Sequence, residues 1–127
     1  MNNLSLAANQ YLGCFIDQIG NRDLNIFISD YEQLTPKQCI LACQAQNYPY
    51  AGVQYGVECR CSRQYGKYGQ VSDEECHYLC STTEKCGGDN RNSVYDVVKS
   101  IEQLPAGQFR RTRNTLTLFF CRISIVT

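Results

Sequence analysis

The residues of this chain with the most chemical potential are cysteines. Cys39 and Cys43 are four apart and Cys59 and Cys61 two apart, with Cys14 upstream and Cys76, Cys80 and Cys86 downstream. Cysteines form disulfides, ligate metals or act as nucleophiles, and their spacing discriminates among these roles. Zinc ribbons and fingers favour C-x2-C pairs, often completed by H-x3-5-H. Here the intervals are x3, x, x3 and x5, and the single histidine, His77, lies between two cysteines, so no metal and no cofactor is expected. Cys76 and Cys80 lack the C-x-x-C spacing of redox motifs, and no second histidine is available as a base. A catalytic thiol, and enzyme activity with it, is therefore not expected. Disulfides remain. Nine cysteines in 127 residues, about 7%, approach the density of a secreted disulfide scaffold. The expected setting is extracellular or cell-surface, reached through the secretory pathway.

A second group of residues suits sugar recognition, in which C–H faces stack on aromatic rings and amides or guanidinium groups donate hydrogen bonds. The chain has nine tyrosines and no tryptophan. Tyr65 and Tyr68 lie in the glycine-rich run Gln64-Tyr65-Gly66-Lys67-Tyr68-Gly69 and are expected on an exposed loop, the competing arrangement being rings folded over a small core. Tyr48, Tyr50 and Tyr55 lie on or beside a predicted hairpin, where alternation turns Tyr50 and Tyr55 toward the core. Asn90 and Arg91 follow Gly87-Gly88. They either present a fork of donors to a ligand or hold the last loop by bonding local backbone. The candidate binding residues are thus Tyr65, Tyr68, Tyr48, Tyr55, Asn90 and Arg91. Were Tyr65, Tyr68, Tyr48 and Tyr31 all buried, the sugar reading would lose its physical basis. Asp73-Glu74-Glu75 reads as the first turn of a helix, complementing its dipole, and lacks the D-x-D-x-D-G pattern of a calcium loop.

These residues need elements to position them. Thr35 caps, Pro36 suits the first helical position, Gln38 completes a capping box, and Leu34 and Cys39 are placed for a hydrophobic staple. The helix is predicted to run to about Gln46, with Asn47 as left-handed terminator and Pro49 preventing continuation. Cys39 and Cys43 then share one helix face, and Cys59 and Cys61 one side of a strand. Two parallel disulfides would staple helix to sheet. Two strands, residues 50–55 and 58–62, are predicted around a type II′ turn at Gly56-Val57. In that register Gln54 opposes Cys59 and Gly52 opposes Cys61. Gly52 would then face the helix and admit the close approach that a disulfide's Cα separation of about 5.5–6 Å requires; otherwise it marks a bulge. Spacing leaves two ladder pairings open, each with three arrangements of the remaining four cysteines. Among those, Cys80–Cys86 closes a short loop, and Cys14–Cys76 would contribute up to about 4 kcal/mol by loop entropy.

The 12 basic and 12 acidic residues cancel, which argues against a nucleic-acid or anionic-membrane partner. No stretch reaches the roughly 18 apolar residues of a membrane span; residues 116–126 are short and include Arg122. The first eight residues carry neither a basic n-region nor an apolar h-region. With this cysteine content, the expectation is a piece of a longer secreted or membrane protein, an incompletely read gene, or export by an atypical route. The organisation expected is an N-terminal tail at 1–7, one domain at 8–96, and a poorly ordered tail or linker at 97–127 holding the ninth cysteine, Cys121. An Asn3-Leu4-Ser5 sequon lies in the first tail.

Tyr11-Leu12-Gly13-Cys14-Phe15, Leu34-Thr35-Pro36-x-x-Cys39-x3-Cys43, Tyr50-Ala51-Gly52-Val53-x-Tyr55-Gly56-x-Glu58-Cys59-x-Cys61, Cys76-x3-Cys80 and Cys86-Gly87-Gly88-x-Asn90-Arg91-x-Ser93-Val94-Tyr95 together resemble the WSC domain. The resemblance covers about residues 8–96 and keeps eight framework cysteines in order. It implies a small α+β disulfide-rich domain, a helix stapled to an antiparallel sheet in a PAN/apple-like architecture with four disulfides. The pairing it implies is Cys14–Cys76, Cys39–Cys59, Cys43–Cys61 and Cys80–Cys86. The family accompanies wall-stress sensors, wall-acting enzymes and co-receptor ectodomains, and its described role is carbohydrate binding without catalysis. The expected partner is a polysaccharide or glycan. The competing expectation is a neighbouring domain or receptor protein, with the chain as a protein-interaction module of an ectodomain.

Overall fold

The computed structural model describes residues 7–97; the sequon, Cys121 and the expectations for the two tails lie almost wholly outside them. A six-stranded antiparallel sheet is built from β1 (Tyr11–Ile16), β2 (Ile26–Asp30), β3 (Tyr50–Gln54), β4 (Glu58–Ser62), β5 (Gln70–Val71) and β6 (Arg91–Asp96), in the order β2-β4-β3-β6-β1-β5. The last strand thus lies inside the sheet, paired to β3 and β1. One helix, α1 (Pro36–Ala45), covers one face. Its capping box forms as expected, Gln38 N donating to Thr35 Oγ1 at 3.0 Å and Thr35 N to Gln38 Oε1 at 2.9 Å. Asn47 terminates it with φ 66°.

Helix and sheet meet through Pro36, Cys39, Ile40 and Cys43, the apolar stripe of a helix period. Cys39–Cys59 and Cys43–Cys61 join α1 to β4 with Cα separations of 5.4 and 5.5 Å. Cys14–Cys76 and Cys80–Cys86 complete four bridges, the set that the resemblance implies. Around the staple Leu34, Ala51, Val53 and Tyr95 are buried in one core. Ala7 and Val97, which flank 8–96, belong to it too, at 0% and 2% exposure.

The hairpin departs from expectation by one residue. Val53 opposes Cys59, Ala51 opposes Cys61, and Gly52 opposes Arg60. Tyr55 (φ 57°) and Gly56 (φ 78°) are both left-handed, and Val57 N closes on Gln54 O at 3.2 Å, a type I′ rather than II′ geometry. Gln54 therefore pairs with Glu58, and every β3 side chain changes face. The small residue beneath the helix is Ala51. Gly52 faces the other side, where a Cβ would come within 2.7 Å of Leu24 Cδ2. The acidic run at Asp73–Glu75 is a single 3-10 turn rather than the start of an α-helix, with Ser72 Oγ accepting from Glu74 N.

The opposite face carries a smaller core of Phe15, Leu24 and Val94, with Leu12, Tyr50 and Tyr65 against it. This layer, made by the segment between β1 and β2 and the loop after β4, builds the site.

Candidate functional site

Two buried carboxylates set the site from below. Asp17, at the end of β1, accepts Gln54 Nε2 at 2.9 Å, Arg22 Nη1 at 2.8 Å and the Asp23 amide at 2.8 Å. Burial opposes its charge, but the Asp23 amide, Gln54, Arg22 and the Gln18 amide together hold its carboxyl below the usual carboxylate value. The Asp23 carboxylate in turn accepts Gly66 N at 2.7 Å and Lys67 N at 3.1 Å. Sheet, first loop and second loop are thereby linked by hydrogen bonds from main-chain amides to carboxylates, which are stronger than neutral ones. Leu24, fully buried over Gly52, fills the space beneath.

Above this layer opens a groove of about 800 Å³, within the range of small-ligand pockets, about 300–1,000 Å³. One wall is Gly20, Asn21, Arg22 and Asn25; the other is Ser62, Arg63, Gln64 and Lys67, with Tyr48 and Tyr65 between. Tyr65 is held in place by Phe15 and Tyr50, with ring centroids 5.1 and 4.6 Å away. The ring is half-buried on the smaller core, and its remaining surface lines the groove. The Arg63 guanidinium lies 5.0 Å over the Tyr48 ring, and Lys67 Nζ 5.4 Å over the Tyr68 ring. Tyr68 OH donates to Asn21 O at 2.6 Å, tying the second loop to the first. Tyr65, Tyr68, Tyr48 and Tyr31 are all half-buried, and Tyr31 packs on the stapled core instead of the groove.

Of the six candidates only Tyr48 and Tyr65 line the groove; Tyr68 braces it from outside through Asn21, and Tyr55, Asn90 and Arg91 lie apart from it. Tyr55 OH donates to Asn90 Oδ1 at 3.0 Å, and Asn90 N to Tyr55 OH at 3.3 Å. Arg91 Nε donates to Glu75 Oε1 at 2.7 Å and Nη1 to Asn90 O at 2.9 Å. Their hydrogen bonds are spent holding the last turn against the hairpin. Asp73 likewise accepts Tyr11 OH at 2.8 Å. Tyr78 OH donates to Asp89 at 3.0 Å, which raises the phenol's pKa. The Sγ atoms of Cys39, Cys43 and Cys59 lie within 4.8 Å of one another, but all three are bonded into bridges, which removes the thiolates a metal requires.

Asn21, Arg22, Asn25 and Arg63 were not among the sequence candidates. The signal for Asn21 and Arg22 was a polar, turn-forming segment, Gly20-Asn21-Arg22-Asp23, between two strands, and nothing local tied it to the loop after β4 that brings Arg63 to the groove.

Among known proteins, the WSC domain model matches residues 11–88, which hold all eight bridged cysteines and end before β6. Kremen protein 1 of Homo sapiens is 33% identical over 91 residues, covering 68% of this chain and 19% of that protein. Xylosyltransferase oxt of Drosophila melanogaster is 36% identical over 105 residues, covering 78% of this chain and 12% of that protein. A WSC domain-containing protein of Arthroderma benhamiae is 36% identical over 90 residues, covering 68% and 10%. The chain therefore spans a fifth or less of the length of these relatives.

Proposed function

The chain belongs to the WSC domain family, and on that premise we propose that it is a non-enzymatic, extracellular carbohydrate-binding module holding a polysaccharide or glycan in the groove between its 20–25 and 62–67 segments. The observation that carries the reading is the composition of that groove: Tyr48 and Tyr65 flanked by Asn21, Asn25 and Gln64, the combination of ring and amide that sugars require. Four disulfides suit an oxidising compartment. Among the described residues no helix is long and apolar enough to cross a membrane. The activity in the name Xylosyltransferase oxt is not carried over, because the aligned part is 12% of that protein.

The test is retention of the oxidised chain on β-1,3-glucan, chitin, cellulose, xylan and resin-coupled polygalacturonate. Retention on at least one polymer is expected, abolished by Tyr48→Ala and reduced by Tyr65→Ala, and unchanged by Tyr55→Ala, whose ring lies outside the groove. Tyr65→Ala is read beside its unfolding temperature, since that ring also packs on Phe15. No retention on any polymer, by protein shown by mass to hold four disulfides, would sink the reading. It would leave a protein-interaction module, which one observation favours: Val57, Tyr78 and Leu79 are 36%, 36% and 58% exposed beside the hairpin turn.

A further inference from the structure

We infer that the groove selects acidic saccharides, those bearing a carboxylate or sulfate, over neutral ones; this rests on the glycan reading above. Its lining includes three cations, Arg22, Arg63 and Lys67, and one carboxylate, Asp23. Arg22 is committed to Asp17 at 2.8 Å, and both Asp23 oxygens are taken by the amides of Gly66 and Lys67. Counting Asp17 with the lining, three positive charges face two negative ones, and both negative groups are buried. The charges that meet solvent are Arg63 and Lys67, both exposed, and neither forms an ion pair with a described residue.

Each cation is also positioned by its surroundings. Arg63 rests on the Tyr48 face and donates to Asn47 O at 3.3 Å. Lys67 rests on the Tyr68 face and donates to Asn21 Oδ1 at 3.2 Å. The rings hold the charged heads in place, and those heads cover one face of each ring. A saccharide entering the groove therefore meets a guanidinium fork over the Tyr48 ring, with the Lys67 ammonium also in the lining. A planar fork matches carboxylate and sulfate oxygens.

The test measures affinity of the whole chain for soluble oligogalacturonate, its methyl ester, dextran sulfate, dextran and polyglutamate, with Arg63→Gln and Lys67→Gln. Tighter binding to oligogalacturonate than to its ester is expected, falling with salt and about fivefold for each substitution. Comparison of oligogalacturonate with dextran sulfate tells carboxylate from sulfate, and either preference supports the proposal. Equal affinity for acid and ester overturns the acidic selectivity and leaves the glycan reading standing. Acid binding that neither substitution weakens overturns the placement in this groove. Polyglutamate bound as tightly as oligogalacturonate overturns the saccharide identity; no binding to any of these sugars overturns the acidic selectivity, and overturns the glycan reading too only if the chain is also retained on none of the polymers above.

Discussion

On one face of the sheet the helix is held by Cys39–Cys59 and Cys43–Cys61 around Ile40, Ala51 and Val53. On the other, the segment between β1 and β2 is held by the carboxylates of Asp17 and Asp23 and by one leucine. The stapled face is apolar and covalently closed. The loop face is polar, with Gln54 Nε2 buried between Asp17 Oδ2 and Asn92 Oδ1 at 2.9 and 3.1 Å. The groove opens on the loop face. In a domain of this size a small core supplies little stability, and covalent closure on one side offsets a polar arrangement on the side that meets ligand.

If that division holds, removing the staple has the largest effect. Replacing Cys39 and Cys59 together by alanine is expected to destabilise the domain by about 2–5 kcal/mol. Thermal unfolding followed by far-UV circular dichroism measures it, and a drop confined to ligand binding would mean that the bridges do not carry the fold.

On the loop face, Leu24→Ala is expected to cost about 2–4 kcal/mol, because Leu24 is wholly buried over Gly52. Polysaccharide retention should fall even at temperatures where the sheet remains folded. A variant of unchanged retention would show that the groove does not depend on this packing.

Asp17→Asn is expected to cost about 1–3 kcal/mol by leaving Arg22 and the Asp23 amide with a weaker acceptor. The native carboxyl has a folded-state pKa below its ordinary value, so its contribution is present above the unfolded pKa of about 3.9. That contribution is lost as pH falls through the lower, folded value. Stability of the parent should therefore decline below about pH 4 more steeply than that of Asp17→Asn, as read from urea midpoints across pH. Parallel curves would assign the acid sensitivity to other carboxylates.

Much of the stapled face was legible in local sequence. The Thr35/Gln38 capping box, Pro36, the Cys39/Cys43 stripe and the Asn47 terminator each act within a turn or two of chain, and all take their expected form. The pairing of the cysteines was not fixed by their spacing; the likeness to the WSC domain family singled out one arrangement. Tyr65 and Tyr68 were singled out by their glycine-rich loop and Tyr48 by its place beside the hairpin; Tyr48 and Tyr65 line one groove, whereas Tyr68 bonds Asn21 beside it. Tyr55, Asn90 and Arg91 carry equally suitable groups, but those groups bond one another and Glu75.

Local sequence thus specifies the chemistry of each part: a disulfide scaffold, a capped helix, a hairpin, and loops rich in tyrosine and amide. Tertiary structure alone decided the hairpin register, because a one-residue slip changes no composition yet exchanges the two faces of β3. It also decided that β6 inserts between β3 and β1. The groove is the clearest case. Asp23 and Gly66 are 43 residues apart, and a hydrogen bond over that distance leaves no periodicity or turn signal in the chain; only folding brings the carboxylate to the amide and the two loops to one site.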